Sequence, residues 1–184
     1  MNYLVQALLG VSLAVVQPAF AAPAAASAPA APAAKVAPGS PVHVKAVQDL
    51  LGAMQAEKVV RGVAARSRYQ SEAQRKAVFA KLDKTPPATV YQRMAAPLAS
   101  AISYDTATEM TRFYNTPYGK KVIHEKYNSA SQIMMPGMKP VVPPEEKKER
   151  KRAAYVQASK QLAEAEPAIE REAFKLLQMI NKGK

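Results

Sequence analysis

Prolines do more than any other residue to limit what this chain of 184 residues can fold into. Each one fixes φ and removes a backbone donor, so a helix stops short of a proline or takes it into its first turn. From 22 to 41 the chain is almost entirely Ala and Pro, with Pro23, Pro29, Pro32, Pro38 and Pro41 closely spaced. Neither helix nor sheet propagates through such a run, and it reads as a disordered, extended linker. Beyond it, Pro86-Pro87, Pro117, Pro136, the run Pro140-Val141-Val142-Pro143-Pro144 and Pro167 cut the remainder into segments of helical length.

Those segments favour helix. Ala, Lys, Glu, Gln, Leu and Met dominate from 42 onward, and the β-branched and aromatic alternation that marks strands is scarce. The expected fold is all-α, with a compact helical domain over 42–139 and a Pro linker with a charged C-terminal helical extension over 140–184. A first helix is predicted over 42–54, with Val44, Val47, Leu50 and Leu51 on one stripe. A second, longer one over 56–82 carries Val59, Val60, Val63, Val78, Phe79 and Leu82. If it is continuous, Arg61, Arg68 and Arg75 share one of its faces. Thr85-Pro86-Pro87 ends it and opens a third helix running to about Ile102.

Thr106-Ala107-Thr108-Glu109 has the form of a capping box, so the next helix is expected to start near Thr106 and to carry Met110, Phe113 and Tyr114. Thr116 can then cap a new helix with Pro117 in its first position, which makes a corner. Tyr118, Val122, Ile123 and Tyr127 continue an apolar face toward Met134, and Pro136-Gly137 closes the segment. After the linker, the run Glu145-Glu146-Lys147-Lys148-Glu149-Arg150-Lys151-Arg152 places acids before bases, as a solvated helix prefers. Tyr155, Leu162, Ile169 and Leu176 then recur every seven residues, widened by Ala173, Leu177 and Ile180. Pro167 interrupts that repeat, so two helices joined by a kink and packed on the domain are expected rather than a coiled coil.

The first residues bear on location. Met1 to Val16 carry no charged side chain, and Gln17-Pro18 ends their apolar run before Ala19-Phe20-Ala21, a small-x-small pattern read by signal peptidase. Residues 1–21 therefore read as a signal peptide cleaved after Ala21, and the protein as periplasmic or secreted. The run is too short for a transmembrane anchor, so none is expected after processing. Cysteine is absent, which excludes a disulfide framework and a lipid-modified Cys at the new N-terminus.

The sequence Phe113-Tyr114-Asn115-Thr116-Pro117-Tyr118-Gly119-Lys120-Lys121, preceded by Tyr91 and Glu109-Met110, resembles the central motif of a bacterial exported helical family known only as a domain of unknown function. In that family an aromatic pair, Ser or Thr, Pro, a spacer, Gly and a basic or Gln-Lys pair follow a helix with an acidic start. The resemblance covers roughly 42–135 and implies an all-helical, envelope-located protein; it implies no reaction, ligand or catalytic residue. Within the motif, Phe113 and Tyr114 suit a buried face, Pro117 sets the turn and Gly119 permits close approach of another backbone. Lys120 and Lys121 fit either a solvated face or an anion-binding corner at the new helix N-terminus.

Charge bears on partners. The formal net charge is +12, and no charged side chain precedes Lys35, so cleavage leaves all of it in place. Such an excess attracts anionic surfaces, which outside the cytosol are lipid headgroups or envelope polymers. Nucleic acid is disfavoured as a partner by the export signal and by aromatics that do not interleave with the bases. Catalysis finds no footing: His43 and His124 are the only histidines, neither sits in a metal or triad spacing, and no Gly-rich phosphate loop is present. No cofactor and no metal ligand set is expected. The function expected is a non-catalytic binding module for an envelope protein or an anionic lipid or polymer surface, with tentative contacts at Lys120, Lys121, Arg61, Arg68 and Arg75. The alternative is an accessory enzyme or a copper-handling protein, for which Met134, Met135 and Met138 offer thioethers.

Overall fold

The computed structural model of the chain describes residues 36–128 and 143–183, and within them it contains eight helices and no strand. The all-α expectation holds. In chain order they are α1 (Pro41–Ala53), α2 (Ala56–Arg66), α3 (Glu72–Asp83), α4 (Pro87–Leu98), α5 (Tyr104–Asn115), α6 (Pro117–Asn128), α7 (Pro144–Glu149) and α8 (Ala153–Lys182). α1 packs on α4 and α5, α6 packs on α5, and α8 runs against α2, α3, α4 and α5.

Pro41 opens α1 instead of closing the linker. Ser40 caps the helix by accepting from the His43 amide, and Pro41 occupies the first turn, where its missing donor costs nothing. His43 is buried and structural: its Nε2 lies 2.7 Å from the Ile102 carbonyl oxygen, and its Nδ1 accepts from the Gly39 amide at 3.1 Å. This ties the start of α1 to the loop before α5.

The long helix expected over 56–82 is two helices. Side chains take over the backbone groups at the break: the Ser67 hydroxyl donates to Val63 O, the Tyr69 hydroxyl to Ala64 O, and Ser71 Oγ accepts the Gln74 amide to cap α3. α4 begins at Pro87 as expected but ends at Leu98, and Ile102 is buried in the following turn. α5 starts at Tyr104, earlier than the capping box suggests. Ser103 is the cap, accepting the Thr106 amide at 3.2 Å, and Thr106 is buried with its hydroxyl donating to Gln161 of α8. Glu109, freed from capping, binds Arg112 at 2.8 Å; Arg112 also reaches Glu149 of α7 at 2.6 Å, and Arg152 joins both acids.

The C-terminal part also departs from expectation. α8 is one helix of 30 residues running straight through Pro167, without a division there. Ala163 and Pro167 are both exposed, so the carbonyl that Pro167 leaves without a donor faces water. The packing of α8 on the domain is as expected. Leu162, Ile169 and Leu176 are buried as the heptad spacing predicts, and Ala158, Ala165, Ala173 and Leu177 complete the stripe in one core with Val47, Leu50, Met94, Leu98 and Met110. The division at 139/140 therefore crosses a shared core.

Candidate functional site

The corner between α5 and α6 is built as its residues suggest. Thr116 Oγ1 accepts the Gly119 amide at 2.9 Å and donates to the Phe113 carbonyl at 2.7 Å, while the Thr116 amide reaches the same carbonyl at 3.0 Å. Gly119 is buried directly against that carbonyl. Phe113, 2% exposed, is a hub, its ring centre 5.3 Å from Tyr114, 6.1 Å from Tyr118 and 4.7 Å from Tyr155 of α8. The Tyr118 hydroxyl donates to Glu146 Oε2 at 2.9 Å, which anchors α7.

Burial is the first cause that pushes the hydroxyls of Tyr114, Tyr118 and Tyr127 from the ordinary 10.0 up to about 12, aided at Tyr118 by its bond to Glu146. A raised tyrosine pKa means that the fold favours the neutral phenol. That contribution is complete below about pH 10 and is lost as pH rises toward 12. A phenolate absorbance titration followed alongside circular dichroism is expected to show these tyrosines ionising together with loss of helix near pH 12.

Lys120 and Lys121 stand exposed on the first turn of α6, Lys121 lying 3.8 Å from Glu125. The anion cradle that the helix start could have offered is largely filled. Pro117 has no amide hydrogen, Thr116 Oγ1 takes that of Gly119 and the Thr116 carbonyl takes that of Lys120, leaving at most the Tyr118 amide. Lys120→Ala with Lys121→Ala is expected to shift unfolding by no more than about 0.5 kcal/mol in a denaturant melt, because exposed lysines make weak pairs.

Arg61, Arg68 and Arg75 do not share a helix face, since the chain bends between α2 and α3 and Arg68 lies exposed in the bend. Phe79 nevertheless brings two of them together. The Arg61 and Arg75 guanidinium carbons lie 5.2 and 5.6 Å from its ring centre, and the two side chains also pair with Asp83 and Glu72 respectively. Stacking of this kind holds both charges in place, with Asp83 and Glu72 at the guanidinium edges.

Cations that sequence reasoning passed over form separate groups. A shallow groove between α2 and α8 places Arg66, Arg171 and Lys175 around Phe174, which is 46% exposed. At the turn between α3 and α4, Lys81, Lys84 and Arg93 line a second groove of about 390 Å³ with Leu176 and Ile180 of α8 at its base. Lys81 Nζ donates to the Asn181 carbonyl there, satisfying the end of α8. Between 61 and 93 the chain carries eight bases against two acids. Bases and acids are more nearly matched elsewhere: at α5 and α7, Arg112 and Arg152 are met by Glu109 and Glu149.

A more enclosed groove of about 360 Å³ lies between α2, α6 and α8, with Met54, Val59 and Ile169 as apolar lining. Its rim is closed by the pairs Lys126–Glu166 at 3.2 Å and Arg66–Glu170 at 3.0 Å, and Lys58 sits 5.3 Å above the Tyr127 ring. Among the described residues no group of three or more His, Cys, Asp or Glu is placed to hold a metal ion. His124 is exposed on α6, and Met134, Met135 and Met138 lie outside the described residues.

Compared with known proteins, the chain matches no family model, no curated protein and no solved structure. The resemblance to the exported helical family thus rests on the motif from Phe113 to Lys121 itself.

Proposed function

We propose that the protein is an exported, non-catalytic binding module of the helical kind its Phe113–Lys121 motif resembles, and that it attaches to an anionic component of the cell envelope. The observation that carries this reading is the pairing of cations with aromatic rings in two groups, Arg61 and Arg75 over Phe79, and Arg66, Arg171 and Lys175 around Phe174. Each base near an anionic surface contributes on the order of 1 kcal/mol, and that attraction fades as salt shortens the Debye length. The apolar leader ending in Ala19-Phe20-Ala21 supports export, and no helix among the described residues is long and apolar enough to cross a membrane.

Two measurements test the reading. The protein recovered from the producing cell is expected to start at Ala22, and a retained Met1 would remove the case for export. Purified mature protein is expected to sediment with vesicles containing phosphatidylglycerol at low salt and to release at high salt. Arg61→Glu with Arg75→Glu is expected to weaken that binding about ten-fold or more, while Lys120→Ala with Lys121→Ala changes it little. Equal binding to phosphatidylcholine alone, or indifference to salt, would sink the electrostatic reading.

A further inference from the structure

The outer side of α8 carries a feature that charge alone does not require. Arg171, Phe174, Lys175, Gln178, Met179 and Lys182 follow one another at i, i+3, i+4, i+7, i+8 and i+11, a single line along the helix facing away from buried Ala173, Leu176 and Leu177. All six are exposed, Phe174 by 46% and Met179 by 39%. The line spans roughly 16 Å at the rise of an α-helix. Its cations are only partly engaged. Arg171 Nε donates to the Pro167 carbonyl at 3.3 Å, Lys175 pairs with Glu172 at 2.7 Å, and Lys182 has no acidic partner among the described residues.

We infer that this line is the edge with which the protein seats on an anionic lipid bilayer. Phe174 and Met179 enter the interfacial region, and Arg171, Lys175 and Lys182 lie against headgroup phosphates. The inference rests on the reading above that the partner is anionic, and narrows that partner to a bilayer. A soluble polyanion is attracted by the cations and has no use for an exposed aromatic and a thioether between them. A bilayer surface offers both environments within a few ångströms of depth, and long basic side chains bridge that depth by laying their stems along the apolar zone and raising their heads to the phosphates. The alternation of apolar and cationic residues along one helix line matches that layering. Phe174 also lies in the groove that contains Arg66 of α2, whose charge is met there by Glu170 at 3.0 Å.

The chain contains no tryptophan, so Phe174→Trp installs a single fluorescent reporter at the edge. With vesicles of phosphatidylcholine and phosphatidylglycerol, F174W emission is expected to move to the blue and to be quenched by brominated acyl chains. V42W, on α1 at a site 58% exposed, is expected to show neither effect. Bound protein whose F174W emission stays unshifted overturns the inference. In the unlabelled protein, Phe174→Ser with Met179→Ser is expected to leave the melting transition unchanged, to weaken vesicle binding about ten-fold, and to leave salt-sensitive binding to soluble polyphosphate intact. If the parent binds polyphosphate but not vesicles, the bilayer inference fails and the anionic reading stands. If it binds neither, the anionic reading fails with it. A double variant that loses polyphosphate and vesicles alike while still folded shows the line to be a general anion contact, and also overturns the inference.

Discussion

Gly119→Ala is expected to destabilise the protein by about 4 kcal/mol or more, at the severe end for a single added methyl, and to lower its melting temperature by roughly 10 °C or more. A Cβ at this position would stand 2.0 Å from the Phe113 carbonyl oxygen and 2.7 Å from both Phe113 C and Tyr114 Cα. These are backbone atoms, so no change of rotamer makes room. The carbonyl itself is held by two donors from Thr116, and moving it away sacrifices the bonds that turn α5 into α6. The only relief is to lift α6, which drags Tyr118 from Phe113 and Glu146. Gly62→Ala provides the contrast on α2. There the new methyl would meet only Arg66 Nη1, at an ordinary 3.5 Å, so the usual helical advantage of Ala over Gly, about 0.5–1 kcal/mol, is expected to appear. Thermal melts of the two variants side by side check both, and a G119A protein that melts with the parent would show that the close approach is absent.

The corner is legible in the sequence because Thr116, Pro117 and Gly119 each have few other uses in that order. Elsewhere two local signals compete and only tertiary structure chooses. Ser103 and Thr106 both suit a helix cap, and Thr106 loses because its position in α5 faces α8, where Gln161 takes its hydroxyl. The break between α2 and α3 has neither Gly nor Pro; it is made by Ser67, Tyr69 and Ser71 capturing backbone groups, a pattern without a unique spacing. Pro167 looks like a break because its backbone effect is local, whereas its tolerance in α8 depends on facing water. The alanines of α8 carry little hydrophobic signal in sequence, so Ala158 and Ala165 on the inward stripe are easily taken for polar surroundings of a heptad. For the basic face, composition indicates the charge but not the grouping. Arg61 meets Arg75 because Phe79 stacks under both, and the line from Arg171 to Lys182 stands out only once α8 is known to be continuous and its inner side is fixed.

Phe113→Ala is expected to cost about 3–5 kcal/mol, the range for truncating a buried aromatic, and in a domain of ordinary stability this removes a third or more of the total. The ring does more than fill space. It is the shared neighbour of Tyr114, Tyr118 and Tyr155, which come from α5, α6 and α8, and none of these can close the gap without leaving its own contacts. Tyr118 must hold Glu146, and Tyr155 opens α8 one turn after Arg152 meets Glu109 and Glu149. A cavity at the hub therefore loosens α7 at both of its anchors, Glu146 and Glu149. Urea unfolding is expected to show a lower midpoint with an unchanged slope, and hydrogen exchange to show faster opening of 144–149 than of α1. Phe113→Leu keeps most of the volume and should cost no more than about 1.5 kcal/mol. If Phe113→Ala costs as little as Phe113→Leu, the site collapses without the ring, and Phe113 is one core residue among many rather than the piece that sets the corner.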